Sequence, residues 1–400
     1  MSDLTEPKPG IIPDFLPYHK NLADLLEREE EGFWKWFASD NMAAQTFDDH
    51  RLFLLKNSVR LDRATYGELF KQAQAVADML QIEAPLTIYQ GQGDARNAAL
   101  IFMPDTVNII FHGDLIEFLE PEELTAVLAH EMAHYMHHTR EDGRYFIVDR
   151  MLDWICGEHG AHQAHATSLW LSRLYQEIYA DRLGLFVSGN VKASISSLVK
   201  VGSGLSKVSV EAYLTQAREA LEMADGHGSE GFTHPETYIR AIALSNWAED
   251  PATADEKLIQ LVEGKAKLER LDLLRQETLS ATTRALITHI LAADWAEESE
   301  MLGAHARTFF PDFERQSEAE EAPKDDIAKM DDSLRDYLAF VLADFATVDP
   351  ELDDTSLMAA FDISTEWGLE EAFDKIAAKD LKLKAKGVAK IRAERAEAAT

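Results

Sequence analysis

The chain is poor in the features that would place it in several large protein classes. It has one cysteine, Cys156, among 400 residues, which excludes internal disulfides and suits a reducing compartment. Positive charge is scarce: 39 Lys and Arg stand against 71 Asp and Glu, a formal net charge of −32. That balance argues against nucleic-acid binding and against attraction to anionic membranes. Nowhere do 18 uncharged apolar residues follow one another, so no transmembrane segment is expected. The opening residues, Met1 to Gly10, are polar and proline-punctuated and lack the apolar centre of a signal peptide, so a cytoplasmic location is expected. The apolar content of 46% is nevertheless enough for real cores, and the length allows two or three domains.

What is present centres on His130-Glu131-Met132-Ala133-His134, an H-E-x-x-H run in an apolar, helix-forming stretch. On a helix the two histidines lie about 40° apart around the axis and roughly 6 Å apart along it, so both imidazoles can reach one ion. Glu131, one step on, points beside that ion, where a general base for a metal-activated water must sit. Pro121-Glu122-Glu123 reads as the opening turn of this helix, with carboxylates at the positive end of its dipole. Leu124, Val127, Leu128 and Met132 give it one buried stripe. The alternative is a core helix that happens to carry two histidines.

A hydrolytic zinc site needs a third protein ligand and one open position. Glu177-Ile178-Tyr179-Ala180-Asp181 lies in a second helical pattern, residues 169–186, and Glu177 is the natural third ligand. Asp181, one turn further, falls on the same face and is placed to hold the far nitrogen of a ligand histidine. Ala180 is small enough to let the two helices approach closely. An ordinary solvated helix face is the competing reading for Glu177 and Asp181, weakened by the H-E-x-x-H run some 40 residues upstream.

Together, the segment from Glu123 to His134 and the later Glu177-Ile-Tyr-Ala-Asp181 resemble the zinc metallopeptidases related to HtpX, the Oma-type proteases and the CAAX prenyl endopeptidase. The resemblance covers residues 60–245. It implies that His130, His134 and Glu177 hold one Zn2+ per chain and that Glu131 is the general base. Asn97-Ala98 resembles the family's edge strand, which implies that substrate backbone adds there as an extra strand. Thr233-His234-Pro235 with Arg240 is similar to the family's His-Pro…Arg element, which implies that His234 and Arg240 stabilise the oxyanion or support the site. For His234, capping of the helix that follows Pro235 is the plainer alternative. Some membrane members insert an apolar hairpin between the second histidine and the third ligand. Here Asp149, Arg150 and Asp153 interrupt that interval, and an amphipathic helix shielding the cleft is expected instead.

The implied function is a soluble zinc metalloendopeptidase that hydrolyses protein or peptide substrates. The alternative is a catalytically silent zinc-containing scaffold. The fold expected is α+β and mostly α-helical: a zincin-like core with a small β-sheet packed on the H-E-x-x-H helix, plus a helical C-terminal region. Residues 1–57 are expected to form an N-terminal helical cover and 58–248 the metallopeptidase domain. A helical extension (249–313), an acidic linker (314–332) and a C-terminal helical module with a basic tail (333–400) complete the chain. The C-terminal region is expected to select substrates, bind a protein partner or restrain the cleft. Within the core, a helix over 66–80 should lead into strands at 86–90, 98–103 and 108–111. A heptad-like run from Leu258 to Leu274 should continue toward Trp295.

Other features invite a metal reading. His137 and His138 extend the H-E-x-x-H helix, but a longer three-histidine motif would need histidine where Arg140 stands; they are read as exposed or supporting residues. His159, His162 and His165 have the spacing of a metal clip, with a polar loop as the alternative. The acidic run from Asp349 to Asp354 lacks the glycine of a calcium loop.

Overall fold

The computed structural model describes residues 11–39, 43–157, 162–224, 226–231, 233–297, 299–318 and 322–398. It divides into two compact units, Met1–Gly264 and Lys265–Thr400. The first opens with three helices, α1 (Pro17–Glu29), α2 (Glu31–Ala38) and α3 (Ala43–Asn57), then β1 (Ser58–Arg60) and α4 (Gly67–Met79). In α4 the apolar residues Leu69, Phe70, Ala73, Val76 and Ala77 recur at helical spacing and are all buried.

The sheet is completed by β2 (Leu86–Gly91), β3 (Asn97–Leu100) and β4 (Val107–His112), in the spatial order β1-β2-β4-β3. β2 and β4 run parallel, with Ile88 opposite Ile109, while β1 and β3 flank them antiparallel. β4 is buried from Val107 to Phe111, as a strand covered on both faces is, and its one polar residue there, Asn108, donates from its side chain to the Thr106 carbonyl at 2.9 Å. β3 is an edge strand, so Asn97 and Ala98 lie on a sheet margin. β1 is additional to the expected strands; three residues are too few to show alternation.

A short helix, α5 (Leu115–Phe118), precedes α6 (Pro121–Thr139), which carries the H-E-x-x-H run. Pro121 stands at its start, and the Glu123 carboxylate accepts the Glu120 amide at 2.9 Å, closing the first turn. The same carboxylate accepts bonds from Ser196 Oγ (2.7 Å) and Lys200 Nζ (2.8 Å), all three residues being buried. The chain reverses through Glu141, Asp142 and Gly143, all at positive φ, into α7 (Arg144–Gly157). α7 is the expected amphipathic helix, but it packs on α1, α2 and the next helix, α8 (Gln163–Ser188), and none of its residues lines the cleft.

α8 packs directly along α6. Gly184 makes this possible, because a Cβ there would lie 2.8 Å from the Ala126 carbonyl oxygen. Gly189, at φ +63°, ends the helix. α9 (Val191–Ser203), capped by Asn190, then α10 (Val210–Met223), α11 (Thr237–Glu249) and α12 (Ala254–Val262) complete the unit.

The second unit is helical throughout its described residues: α13 (Leu273–Ala292), α14 (Glu300–Phe309), α15 (Lys324–Lys329), α16 (Asp332–Thr347), α17 (Asp353–Glu366), α18 (Glu370–Lys379) and α19 (Lys384–Ala398). Its core is built on Trp367, Phe345, Phe361 and Phe373. Basic residues of its tail are paired within the unit, Arg392 with Asp374 and Arg395 with Asp362. The heptad-like run is not one helix. The chain turns at Gly264 (φ +61°), and Asp272 caps a new helix by accepting the Arg275 amide at 3.1 Å. The segment 314–332 includes the short helix α15. Among the described residues no helix is long and apolar enough to cross a membrane.

Candidate metal centre

α6 and α8 bring three sequence-predicted ligands together. His130 Nε2 and His134 Nε2 lie 3.3 Å apart, and each is 3.5 Å from an oxygen of Glu177. The three donor atoms fall within 4.8 Å of one another. Asp181 is where the sequence put it, its Oδ1 3.0 Å from His130 Nδ1. That contact fixes a proton on Nδ1 and leaves Nε2 facing the other donors. Arg240 of α11 grips Asp181 from the far side with two 2.7 Å bonds, and its guanidinium also lies 3.5 Å from Glu177 Oε2.

Charge and burial set the protonation of this group in the metal-free chain. Burial lowers His134 to about 3, which keeps it neutral and its lone pair free. Burial acts on His130 in the same sense, but Asp181 and Glu177 outweigh it and hold that imidazole up at about 10. Burial alone would raise the Glu177 carboxyl; His130, His134 and Arg240 overcome it and keep the group ionised, well below the usual carboxylate range. Glu177 Oε2 has no hydrogen-bond partner although it is buried. A buried, ionised carboxylate whose two oxygens each lie 3.5 Å from an imidazole nitrogen, one of them without a hydrogen bond, fits a divalent cation of the zinc type.

Glu131 lies beside this group and is buried, so desolvation raises its carboxyl above the ordinary value. Leu100 of β3 and Glu131 line the same cleft. His234 is more exposed (57% for its side chain); its Nε2 is 3.5 Å from Glu177 Oε1, and Thr233 Oγ1 contacts its Nδ1 at 2.7 Å. These groups open onto a cleft of about 480 Å³. Asn97 to Leu100 of β3 form one wall; Val127, Leu198, Val201 and Leu244 supply apolar surface elsewhere.

The fold also brings residues to the site that the sequence alone does not place there. Gln176 and His138 line the cleft. His137, read as exposed or supporting, is buried, because α1 and α7 cover it: its ring packs on His19 and Tyr145. His159 lies outside the described residues, while the His162 and His165 rings are 6.3 Å apart. Nothing in the sequence links Lys200 to Glu123, since the pairing depends on how α9 crosses α6.

Two imidazoles from successive turns of α6, a carboxylate of α8 and a buried glutamate beside them form a donor set of the zinc type with a flanking carboxylate. Residues 64–248, just under half of the chain, match Peptidase family M48. The plastoglobule-localized metallopeptidase 48 of Arabidopsis thaliana, a chloroplastic protein, is 26% identical over 224 residues, which cover 50% of this chain and 62% of the relative. The chain thus spans less than two thirds of that relative's length. No solved structure matches it.

Proposed function

We propose that the protein is a zinc metalloendopeptidase in which His130, His134 and Glu177 hold the metal and Glu131 is the general base. The observation that carries this reading is the convergence of three ligand atoms within 4.8 Å of one another, one of them from a buried carboxylate, with a second buried carboxylate alongside. When bound there, zinc supplies a Lewis acid that makes hydroxide available near neutral pH. Glu131, raised by burial, accepts the proton lost from the attacking water and returns it to the leaving amine. It lines the same cleft as the strand that carries Asn97 and Ala98. We assign that margin to substrate backbone, since an edge strand presents unpaired amide and carbonyl groups. His234 is exposed enough to donate to the oxyanion that develops on the scissile carbonyl. Arg240 is committed to Asp181, so we assign it to positioning: it holds the carboxylate that orients His130.

The single cysteine supports a cytoplasmic location. Residues 265–400 are proposed to select substrates or partners. Deleting them should alter cleavage preference without abolishing cleavage, and an unchanged preference would refute the assignment.

The test of the central reading is metal content and cleavage of unfolded protein substrates for wild type beside Glu131→Gln. Expected is one firmly held zinc in both proteins and cleavage by wild type alone, with the rate lost by at least ~100-fold in the variant. Zinc in both with no cleavage by either would favour a silent scaffold and reject the peptidase mechanism.

A further inference from the structure

The last turn of α6 carries a second group of metal-ligating side chains that the peptidase reading does not use. His137 and His138 project from α6 toward Asp149 of α7 and Gln176 of α8. His137 Nδ1 is 3.9 Å and His138 Nε2 3.4 Å from the same atom, Asp149 Oδ2. The Gln176 side-chain amide lies 3.2 Å from His137 Nδ1 and 3.4 Å from His138 Nε2. We propose that His137, His138, Asp149 and Gln176 form a second site, for an exchangeable divalent transition-metal ion such as Zn2+.

Spacing carries the proposal. Ligand atoms about 2.0–2.1 Å from a tetrahedral zinc stand about 3.4 Å from one another. The separations in this group, 3.2 to 3.9 Å, bracket that value, as do the 3.3 and 3.5 Å within the His130, His134 and Glu177 set. Two imidazoles and one carboxylate are the donor types zinc prefers, and turning the Gln176 amide over presents its oxygen as a fourth. His137 is 1% exposed, so one ring nitrogen is buried and directed into the group. His138 and Gln176 line the cleft, which gives an ion a route in.

The surroundings also set the rank of the two sites. In the first, His130 Nδ1 is held by Asp181. In the second, the far nitrogens, His137 Nε2 and His138 Nδ1, are buried with no hydrogen-bond partner among the described residues. Ligand histidines that lack such a partner bind metal about 10- to 100-fold more weakly. The second site is therefore one that fills after the first and exchanges readily.

The experiment is titration of the metal-stripped full chain with Co2+, read by visible d–d absorption and by metal content after equilibrium dialysis. Wild type should take up two equivalents, the second at least ~10-fold more weakly than the first. His138→Asn and Asp149→Asn should each retain the first equivalent with unchanged affinity and lose the second, with thermal melts confirming that both fold. In the reciprocal variant, His130→Asn with His134→Asn, only the weaker equivalent should remain. Uptake of a single equivalent by wild type would reduce the group to a hydrogen-bonded polar cluster and overturn the proposal. So would a second equivalent that survives both His138→Asn and Asp149→Asn. Because the readout is metal uptake, failure of the peptidase reading would leave this result unaffected.

Discussion

The substitution Gly184→Ala tests whether helix contact, and not the motif alone, makes the metal centre. A methyl added at Gly184 would lie 2.8 Å from the Ala126 carbonyl oxygen, backbone that cannot rotate away. Ordinary contact begins near 3.4 Å, so α8 and α6 must part locally by about 0.6 Å. Two opposing terms then compete. Alanine in a helix interior gains about 1 kcal/mol over glycine, whereas overpacking of this kind costs about 1–3 kcal/mol. The net change should lie between neutral and ~2 kcal/mol of destabilisation. Gly32→Ala in α2 is the control, since its methyl meets nothing within 4 Å and keeps the propensity gain alone. Urea unfolding of the metal-free chain should therefore separate the two variants by about 1–3 kcal/mol. Metal affinity supplies the second readout. Gly184 is one turn from Asp181, and a functional constellation tolerates displacement of only about 0.5 Å, so zinc should bind about tenfold more weakly by chelator competition. If Gly184→Ala stabilises as much as Gly32→Ala and binds zinc unchanged, close approach of the two helices is not what shapes the site.

Buried polar groups give two further expected outcomes. His19 and His137 are held below the ordinary histidine value of 6.5 chiefly by burial, as is His134 in the metal-free chain. Below pH 6.5 the unfolded chain therefore binds protons that the folded chain refuses, and stability present above that pH is lost as pH falls. Below pH 6.5 the slope should approach 1.4 kcal/mol per pH unit per histidine; the raised His130 is protonated in both states there and opposes the loss only above pH 6.5, and the raised Glu131 offsets part of it. Denaturation at pH 7.5, 6.5 and 5.5 should show this loss, and a His137→Phe variant as acid-sensitive as wild type would contradict the assignment. The second concerns Lys200 and Glu123, 2.8 Å apart with both side chains 7% exposed. Lys200→Met should destabilise by about 3–5 kcal/mol through the stranded carboxylate, and Glu123→Gln in the same chain should restore most of it. A single-variant cost below ~1 kcal/mol would show that the pair is not desolvated.

How much of the molecule is legible in its sequence depends on how local each feature is. His130, Glu131 and His134 are spaced by one helical turn, so their relation is set by helix geometry before any tertiary contact forms. Glu177 and Asp181 need one further step, that two apolar helices separated by a short interval pack together, and the small Ala180 hints at it. Strands β2 and β4 are visible as apolar runs. The three-residue β1 is not, nor is the break at Gly264, where turn chemistry overrides a leucine pattern that looks continuous. The pairing of Lys200 with Glu123 lies beyond reach, and Arg240 is singled out only through the family resemblance, because a charged residue in a helix reads as solvated until the helix covering it is known.

His137 shows the same dependence on tertiary context, with a consequence for the second metal group. Its position on α6 is three residues past His134, nearly one turn on, so the stripe that carries the metal ligands continues into the last turn. From sequence that turn has no partner, and its histidines look like surface residues at the favourable end of a helix dipole. The positive-φ reversal at residues 141–143 brings α7 back across it, and α1 closes over the result. A helix end that should have been solvated becomes a buried polar cluster whose ring nitrogens meet one carboxylate oxygen. Burying the His137 imidazole in this way costs stability below pH 6.5. The cost has a return only if something occupies the space the ring nitrogens' lone pairs share, and for that reason the acid sensitivity of His137 and the metal capacity of the His138 group should be measured on the same protein.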